Sequence, residues 1–378
     1  MAVKADEAGA QRLESQVTLG VFLIALIFWC GASLVMDPGT LSRSENRYLA
    51  PAPTLDFQAG GLTAYVPALA DYLADRVALR DAMISLHART WVGLLGTSPT
   101  DKLIVGKDGW FFLNDAAAVG QYQGTAQLGE DELATWQRVL EQRRDWLAEQ
   151  GSAFVLVLVP NKHQIYPEYM PDRLPRISAD EQHAQLARYL KAHSDLVVVD
   201  LMPTLLQAKE EQRVYHKTDG HWNELGAYYA YVAIVERLHH DFPTLVARPL
   251  SWFDLTWHPE PFGVITRRMN VADQVLEDVP ELRPRGRSHV IKRSWPDEIP
   301  EGESEELYFT QRFVSDLKRR PSVVFLRDSF STDLAVFAKE TFHSTVLLHH
   351  WFGHFREDEV LRYKPDVVVY ELLERGLA

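Results

Sequence analysis

Cysteine is nearly absent. The single Cys30 excludes an intramolecular disulfide and a cysteine-rich metal site, although it leaves the redox compartment open. Basic charge is also short: 39 Lys and Arg stand against 52 Asp and Glu, for a formal net charge of −13. A field of that sign disfavours a duplex nucleic acid partner. It also repels an anionic polymer at long range, so binding either one requires a local Arg or Lys cluster. No internal repeat is found, and no feature calls for a tightly bound cofactor or a metal. What remains is an ordinary folded composition, 46% apolar and 11% aromatic over 378 residues, enough for one large core or two modest ones.

One long apolar run is present. Thr18 to Met36, TLGVFLIALIFWCGASLVM, holds 19 residues without a charge. At ~1.5 Å per residue a helix of that length spans roughly 28 Å, close to the ~30 Å hydrocarbon core of a bilayer. The segment therefore reads as a transmembrane signal anchor, with a buried core helix or a cleaved signal peptide as the alternatives. Against cleavage, the run is long and ends in LVMDPG without a small-x-small site. The flanking charges, Lys4 and Arg12 before it and Arg43 and Arg47 after it, do not decide orientation. A short tail, residues 1–17, before a single span reads as a cytoplasmic tail followed by an exported domain.

Residues 37–102 read as a juxtamembrane connector and a helical region with a stripe at Tyr65, Leu69, Tyr72 and Leu73. Leu103 to Leu113, LIVGKDGWFFL, is a hairpin broken at Lys107, Asp108 and Gly109, with Trp110, Phe111 and Phe112 as core. Buried strands are expected at Phe154 to Val159, Leu196 to Asp200, Ser322 to Leu326, Ser344 to His349 and Asp366 to Leu372. Helices are expected at Glu130 to Gln150, Glu181 to Ala192, Glu224 to His240 and Glu357 to Tyr363. This alternation implies an α/β domain, residues 103–378, with a mostly parallel sheet and helices on both faces. Residues 241–320 break the rhythm and read as an irregular insertion, with the acidic run Glu301 to Glu306 a solvated loop.

Two motifs carry chemistry. In VVFLRDSFS, Val323 to Ser331, a buried strand delivers Ser329 to the C-terminal edge of the sheet, where ligands bind in open α/β folds. Amide groups of a following helix could hold charge on a carbonyl oxygen. Simple capping of that helix by Asp328 or Ser329 explains the motif equally well. In YHKTDGHWNELG, beginning at Tyr215, Asp219 lies two positions before His221 and just ahead of a long helix. A carboxylate there can orient the imidazole, and the imidazole can take the proton of a serine hydroxyl. Turn and capping chemistry is again the open alternative. His216 is a decoy for His221, and the pair lacks a third and fourth metal ligand.

TDGHW and RDSFS, together with ENRYLAP at Glu45, GKDGWFFL at Gly106, VPNKHQIYPE at Val159, HHWFGHF at His349 and KPDVVVYELLER at Lys364, resemble the alginate O-acetyltransferase family related to AlgJ and AlgX. The resemblance implies an SGNH-hydrolase-like domain in which the Asp-His pair precedes the serine, so Asp219, His221 and Ser329 would form the triad. It implies O-acetylation of an exported polysaccharide such as alginate through an acetyl-serine, with a membrane-bound O-acyltransferase supplying acetyl groups. The protein would then be a single-pass inner-membrane protein with a periplasmic catalytic domain. A polysaccharide acetyl esterase with the same triad and a noncatalytic glycan-binding subunit are the alternatives. Gly220 stands where Thr is frequent, and the stretch from Phe262 to Asp273 is unfamiliar. Arg327, Lys162, Tyr166 and Trp351 are expected to touch substrate, with His163 beside them; ion pairing, loop structure or burial would serve as well.

Overall fold

The computed structural model describes residues 16–24, 27–28, 31–32, 41–42, 47–58, 60–178, 180–260, 263, 265–266, 275–294, 310–350 and 354–377. The chain divides into two compact units, one drawn from residues up to 99 and a larger one drawn from 100–266 and 272–378. In the first, helices Gly61–Asp75 and Arg80–Arg89 follow a two-residue strand pairing, Leu41–Ser42 with Arg47–Tyr48. The buried Asp75 carboxylate anchors the approach to these helices by accepting the Ala50 N–H at 2.8 Å.

The larger unit opens with the expected hairpin, β1 (Leu103–Val105) against β2 (Phe111–Leu113). Asp108 and Gly109 turn it at φ 53° and 77°, left-handed backbone that Asp and Gly tolerate. Then come α1 (Ala116–Gln123), α2 (Glu130–Glu149), β3 (Ala153–Val159), α3 (Gln182–His193), β4 (Val198–Asp200), α4 (Leu201–Glu211) and α5 (Glu224–His239). A two-stranded ribbon follows, β5 (Phe253–Glu260) with β6 (Glu277–Pro284), before β7 (Val290–Ser294) and β8 (Gln311–Ser315). The chain ends with β9 (Ser322–Arg327), α6 (Ser331–Ala338), β10 (Ser344–His349), α7 (Glu357–Tyr363) and β11 (Val367–Leu373).

The main sheet has seven strands in the order β4-β3-β11-β9-β10-β8-β7. The first five run parallel, whereas β8 is antiparallel to both β10 and β7. Period-two side-chain alternation explains why the central strands are apolar throughout. Val155, Val157 and Val159 of β3 join Phe325 and Val369 in a core on one face, with Leu205, Leu225, Ile234 and Phe337 from α4, α5 and α6. Phe154, Leu156 and Leu158 join Leu326 and Tyr370 on the other, with Leu140, Leu190 and Val360 from α2, α3 and α7. Each fully buried side chain of this size contributes about 1.5–3 kcal/mol, and strands covered on both sides cannot alternate polar and apolar residues.

The α/β architecture agrees with the sequence reading. The stretch 241–320 is more ordered than expected, because it supplies β5, β6 and two strands that widen the sheet. Its strands lack a continuous apolar run: β5 and β6 form a ribbon, of β5 only Phe253 is buried, β7 is the sheet's edge, and β8 beside it buries only Phe313 and Ser315. Glu301 to Glu306 lie outside the described residues.

The membrane-spanning helix expected at 18–36 is corrected. Among the described residues, no helix is long and apolar enough to cross a membrane. The unbroken helical stretch described there, 16–24, has nine residues, about 14 Å at ~1.5 Å each and roughly half a bilayer core. Residues 25–26, 29–30 and 33–36 of the expected span lie outside the described residues. The single-pass topology, the signal anchor and the inner-membrane location rest on that span and fall with it, and the membrane-bound acyl donor that the resemblance implies loses the anchor through which this chain would meet it.

Candidate active site

All five parallel strands end on one edge of the sheet, and β9 delivers Arg327, Asp328 and Ser329 there. The Asp328 carboxylate accepts the Phe330 N–H at 2.8 Å, closing a tight turn that lifts Ser329 into solvent ahead of α6. No side chain caps α6, so helix capping does not account for the serine. The Ser329 hydroxyl instead lies 2.7 Å from His221 Nε2. His221 Nδ1 is 2.5 Å from Asp219 Oδ1, which also accepts the His221 backbone N–H at 3.0 Å. The exposure gradient suits proton transfer: Ser329 is exposed, the His221 side chain is 30% exposed and that of Asp219 only 5%.

The Asp-His turn is held from several sides. Tyr215 and Trp222 pair as an isolated bridge across the base of TDGHW, and the Trp222 indole N–H donates to the Phe330 carbonyl at 2.9 Å, tying this turn to the one that carries Ser329. Asn223 caps α5 by accepting the Gly226 N–H at 3.0 Å. A Cβ on Gly226 would lie 2.2 Å from the Val214 carbonyl, so only glycine lets the helix start this close to the segment that precedes the Asp-His turn.

From within, Lys162 Nζ donates to the carbonyls of Phe111, Lys217 and Asp219 at 2.7, 2.9 and 2.9 Å. Burial pushes its ammonium down to about 7, against the opposing pull of Glu277 and Asp219. Lys162, expected at the substrate, is thus turned inward as a brace. His163, beside it, is buried and bonded to the Leu113 carbonyl, and burial holds it near 4. Arg327 is likewise buried, with Nη1 on the Asp328 carbonyl at 2.9 Å and on Thr332 Oγ1 at 3.4 Å. Tyr166 holds the Val214 N–H through its hydroxyl at 2.9 Å and shows only an edge to a cleft. Trp351 lies outside the described residues.

One residue at this turn is absent from the sequence reading. Glu277, the first residue of β6, accepts the Lys217 and Thr218 N–H groups at 2.7 and 2.9 Å, the Thr218 hydroxyl at 2.6 Å and Arg213 Nη2 at 3.1 Å. Burial alone would push its carboxyl up, but His216, Arg213 and Thr218 together hold it down at about 2. A lone Glu in a polar stretch carries no periodic signal that could have marked it. Glu277→Ala is expected to lower stability by about 3 kcal/mol by orphaning buried donors, and to loosen the Asp-His turn. Its folded value lies below the ordinary one, so its stabilisation is complete above about pH 4.5 and is lost as pH falls toward 2. Thermal melts of wild type and variant should therefore converge on acidification from pH 6 to 3.

The ribbon also shapes two clefts beside this turn. One of about 590 Å³ is lined by Trp110, Tyr166, Tyr169, Lys217 and Trp257; the other, about 400 Å³, by His216, Glu224, His258 and Asp333. Alternation along β5 sends Trp257 to the first and His258 to the second.

The parallel sheet with a Ser-His-Asp constellation at its carboxyl edge is the SGNH-hydrolase-like class, that of serine-dependent enzymes. The family described as "SGNH hydrolase-like domain, acetyltransferase AlgX" matches residues 103–285. A "Probable alginate O-acetylase AlgJ" of Pseudomonas syringae pv. tomato is 36% identical over 132 residues, 33% of this chain and 30% of that protein. Its namesake in Pseudomonas putida is 25% identical over 284 residues, 73% of this chain and 70% of that protein. Bacillus cereus PatB1 shares the fold at a TM-score of 0.54 and 16% identity, covering 72% of this chain and 95% of that one. Over these stretches the chain is similar to the AlgJ/AlgX-like acyltransferases.

Proposed function

We propose that this protein is a polysaccharide O-acetyltransferase that works through an acetyl-Ser329 intermediate. The observation that carries the reading is the unbroken relay from Ser329 Oγ through both nitrogens of His221 to Asp219. With the Nδ1 proton given to Asp219, Nε2 is free to accept the Ser329 proton as the oxygen attacks an acetyl ester. The Ser329 N–H donates to no protein acceptor among the described residues and can meet the developing oxyanion, as can amides of the first turn of α6. Protonated His221 then returns its proton to the departing alcohol, leaving the acetyl group on Ser329. An acceptor sugar hydroxyl gives its proton to His221 and attacks that ester. Collapse of the second tetrahedral adduct breaks its bond to Ser329, which recovers the proton from His221.

Buried and bonded as they are, Lys162 and Arg327 act on the shape of the site in this scheme, not on the substrate. For the acceptor, the larger cleft offers what an acidic sugar needs: a 44%-exposed Trp257 and a half-buried Tyr169 as aromatic surface, with Lys209, Arg213 and Lys217 as cations. Alginate, named for the AlgJ relatives, is the acceptor to test first. The protein is incubated with an acetyl ester and alginate, and the acetyl group is traced. Acetylated glycan is the expected product; free acetate alone, unaffected by glycan, would make the enzyme an esterase.

A further inference from the structure

A buried carboxyl in a strand covered on both faces is rare, and β11 carries one case directly beneath the nucleophile. Glu371 is 2% exposed in a strand whose other residues are apolar or aromatic. It lies on the face shared by Val369 and Leu373, and pairs with Val157 of β3. Its carboxyl reaches across to both flanks of the serine turn. Oε1 accepts the Asp328 N–H at 3.3 Å, and Oε2 accepts the Ser331 hydroxyl. Just past the end of β10, His350 Nε2 donates to the Glu371 carbonyl at 2.8 Å, which fixes the backbone that bears this side chain. Ser329 is thus bracketed, one residue before it and two after it, by bonds to a single buried group on a neighbouring strand.

We propose that Glu371 is a positioning residue for Ser329: by holding Asp328 and Ser331 together it fixes the angle at which the hydroxyl and the adjacent amides meet an acyl carbonyl. The proposal rests on the assignment of Ser329 as nucleophile. It concerns a residue that touches no substrate.

The electrostatics define the form in which Glu371 works. Burial pushes its carboxyl well up, the adjacent Asp328 pushes it further, and Ser331 and Arg327 pull weakly the other way. Arg327 spends Nη1 on the Asp328 carbonyl and Thr332. The protonated form of Glu371 is therefore favoured beside Asp328, and ionisation as pH rises would bring a second charge into the turn. Because the folded value is raised, its contribution to stability is complete below about pH 4.5 and is lost as pH rises through the folded value.

The test reads Ser329 directly, by the rate at which a sulfonyl fluoride labels it in the full chain, followed by peptide mass across pH 6 to 10. Glu371→Ala is expected to slow labelling about 10²-fold, the scale of a roughly 1 Å misplacement. Glu371→Gln keeps an uncharged bridge, so it should restore the rate to within a few-fold and remove the fall with rising pH that is expected of wild type. If Glu371→Ala does not fold, Ser331→Ala carries the test, with labelling slowed about tenfold. Wild-type rates in Glu371→Ala or in Ser331→Ala would overturn the proposal, as would Glu371→Gln being as slow as Glu371→Ala. Failure of wild-type Ser329 to label at all would instead sink the nucleophile assignment itself.

Discussion

Ser329→Ala is expected to reduce acetyl transfer on the order of 10⁶-fold, the scale on which a triad serine acts. The change removes one exposed oxygen and leaves the Asp328–Phe330 turn and the Trp222–Phe330 tie intact, so folding should be unaffected. His221→Ala is expected to cost as much, because an unassisted serine hydroxyl is a poor nucleophile. The double variant should then be no worse than either single one: the two side chains act as a unit across 2.7 Å, and losing either leaves the other idle. Initial rates with an acetyl ester and glycan check all three. Costs that add in the double variant would mean that the two residues act independently.

Asp219→Asn is the second large effect, expected at roughly 10⁴-fold with little change in melting temperature. Asp219 Oδ1 accepts both the backbone N–H of His221 and its ring Nδ1–H, so the carboxylate fixes the turn and the tautomer together. An amide that turns its NH₂ toward the ring forces the proton onto Nε2. The face toward Ser329 then carries a donor where an acceptor is needed. Since Lys162 holds the Asp219 carbonyl and Glu277 holds the preceding amides, the loop should keep its place, and the loss should fall on turnover, not on substrate binding. A fall confined to KM would show that Asp219 serves binding.

Much of this arrangement was legible in the sequence. Runs such as FVLVLV and VVFL mark strands buried on both faces, and short spacing makes the Asp219–His221 pair visible without coordinates. What could not be read is whatever depends on long-range direction. Lys162 looks like a substrate ligand because it follows a strand end, yet its stem turns inward to three carbonyls. Arg327 sits beside the serine in sequence but bonds to the turn's own backbone. Glu277 lies far downstream in a polar stretch and reaches the Asp-His turn only through the ribbon. Glu371 did have a signal, a charge inside DVVVYELL, since a strand covered on both faces tolerates a carboxyl only where bonds await it. The 18–36 run misleads in the opposite direction: its apolar length alone predicts a span, and no described helix there is long enough to make one.

The most direct test of the account is to stop the reaction of wild-type protein with an acetyl ester donor early, without acceptor, and to map the modified peptide by mass. An acetyl group on Ser329 that disappears when glycan is added and reappears on the glycan is the predicted result. Turnover with no acetylated serine at any time, or with undiminished rate in Ser329→Ala, would contradict it.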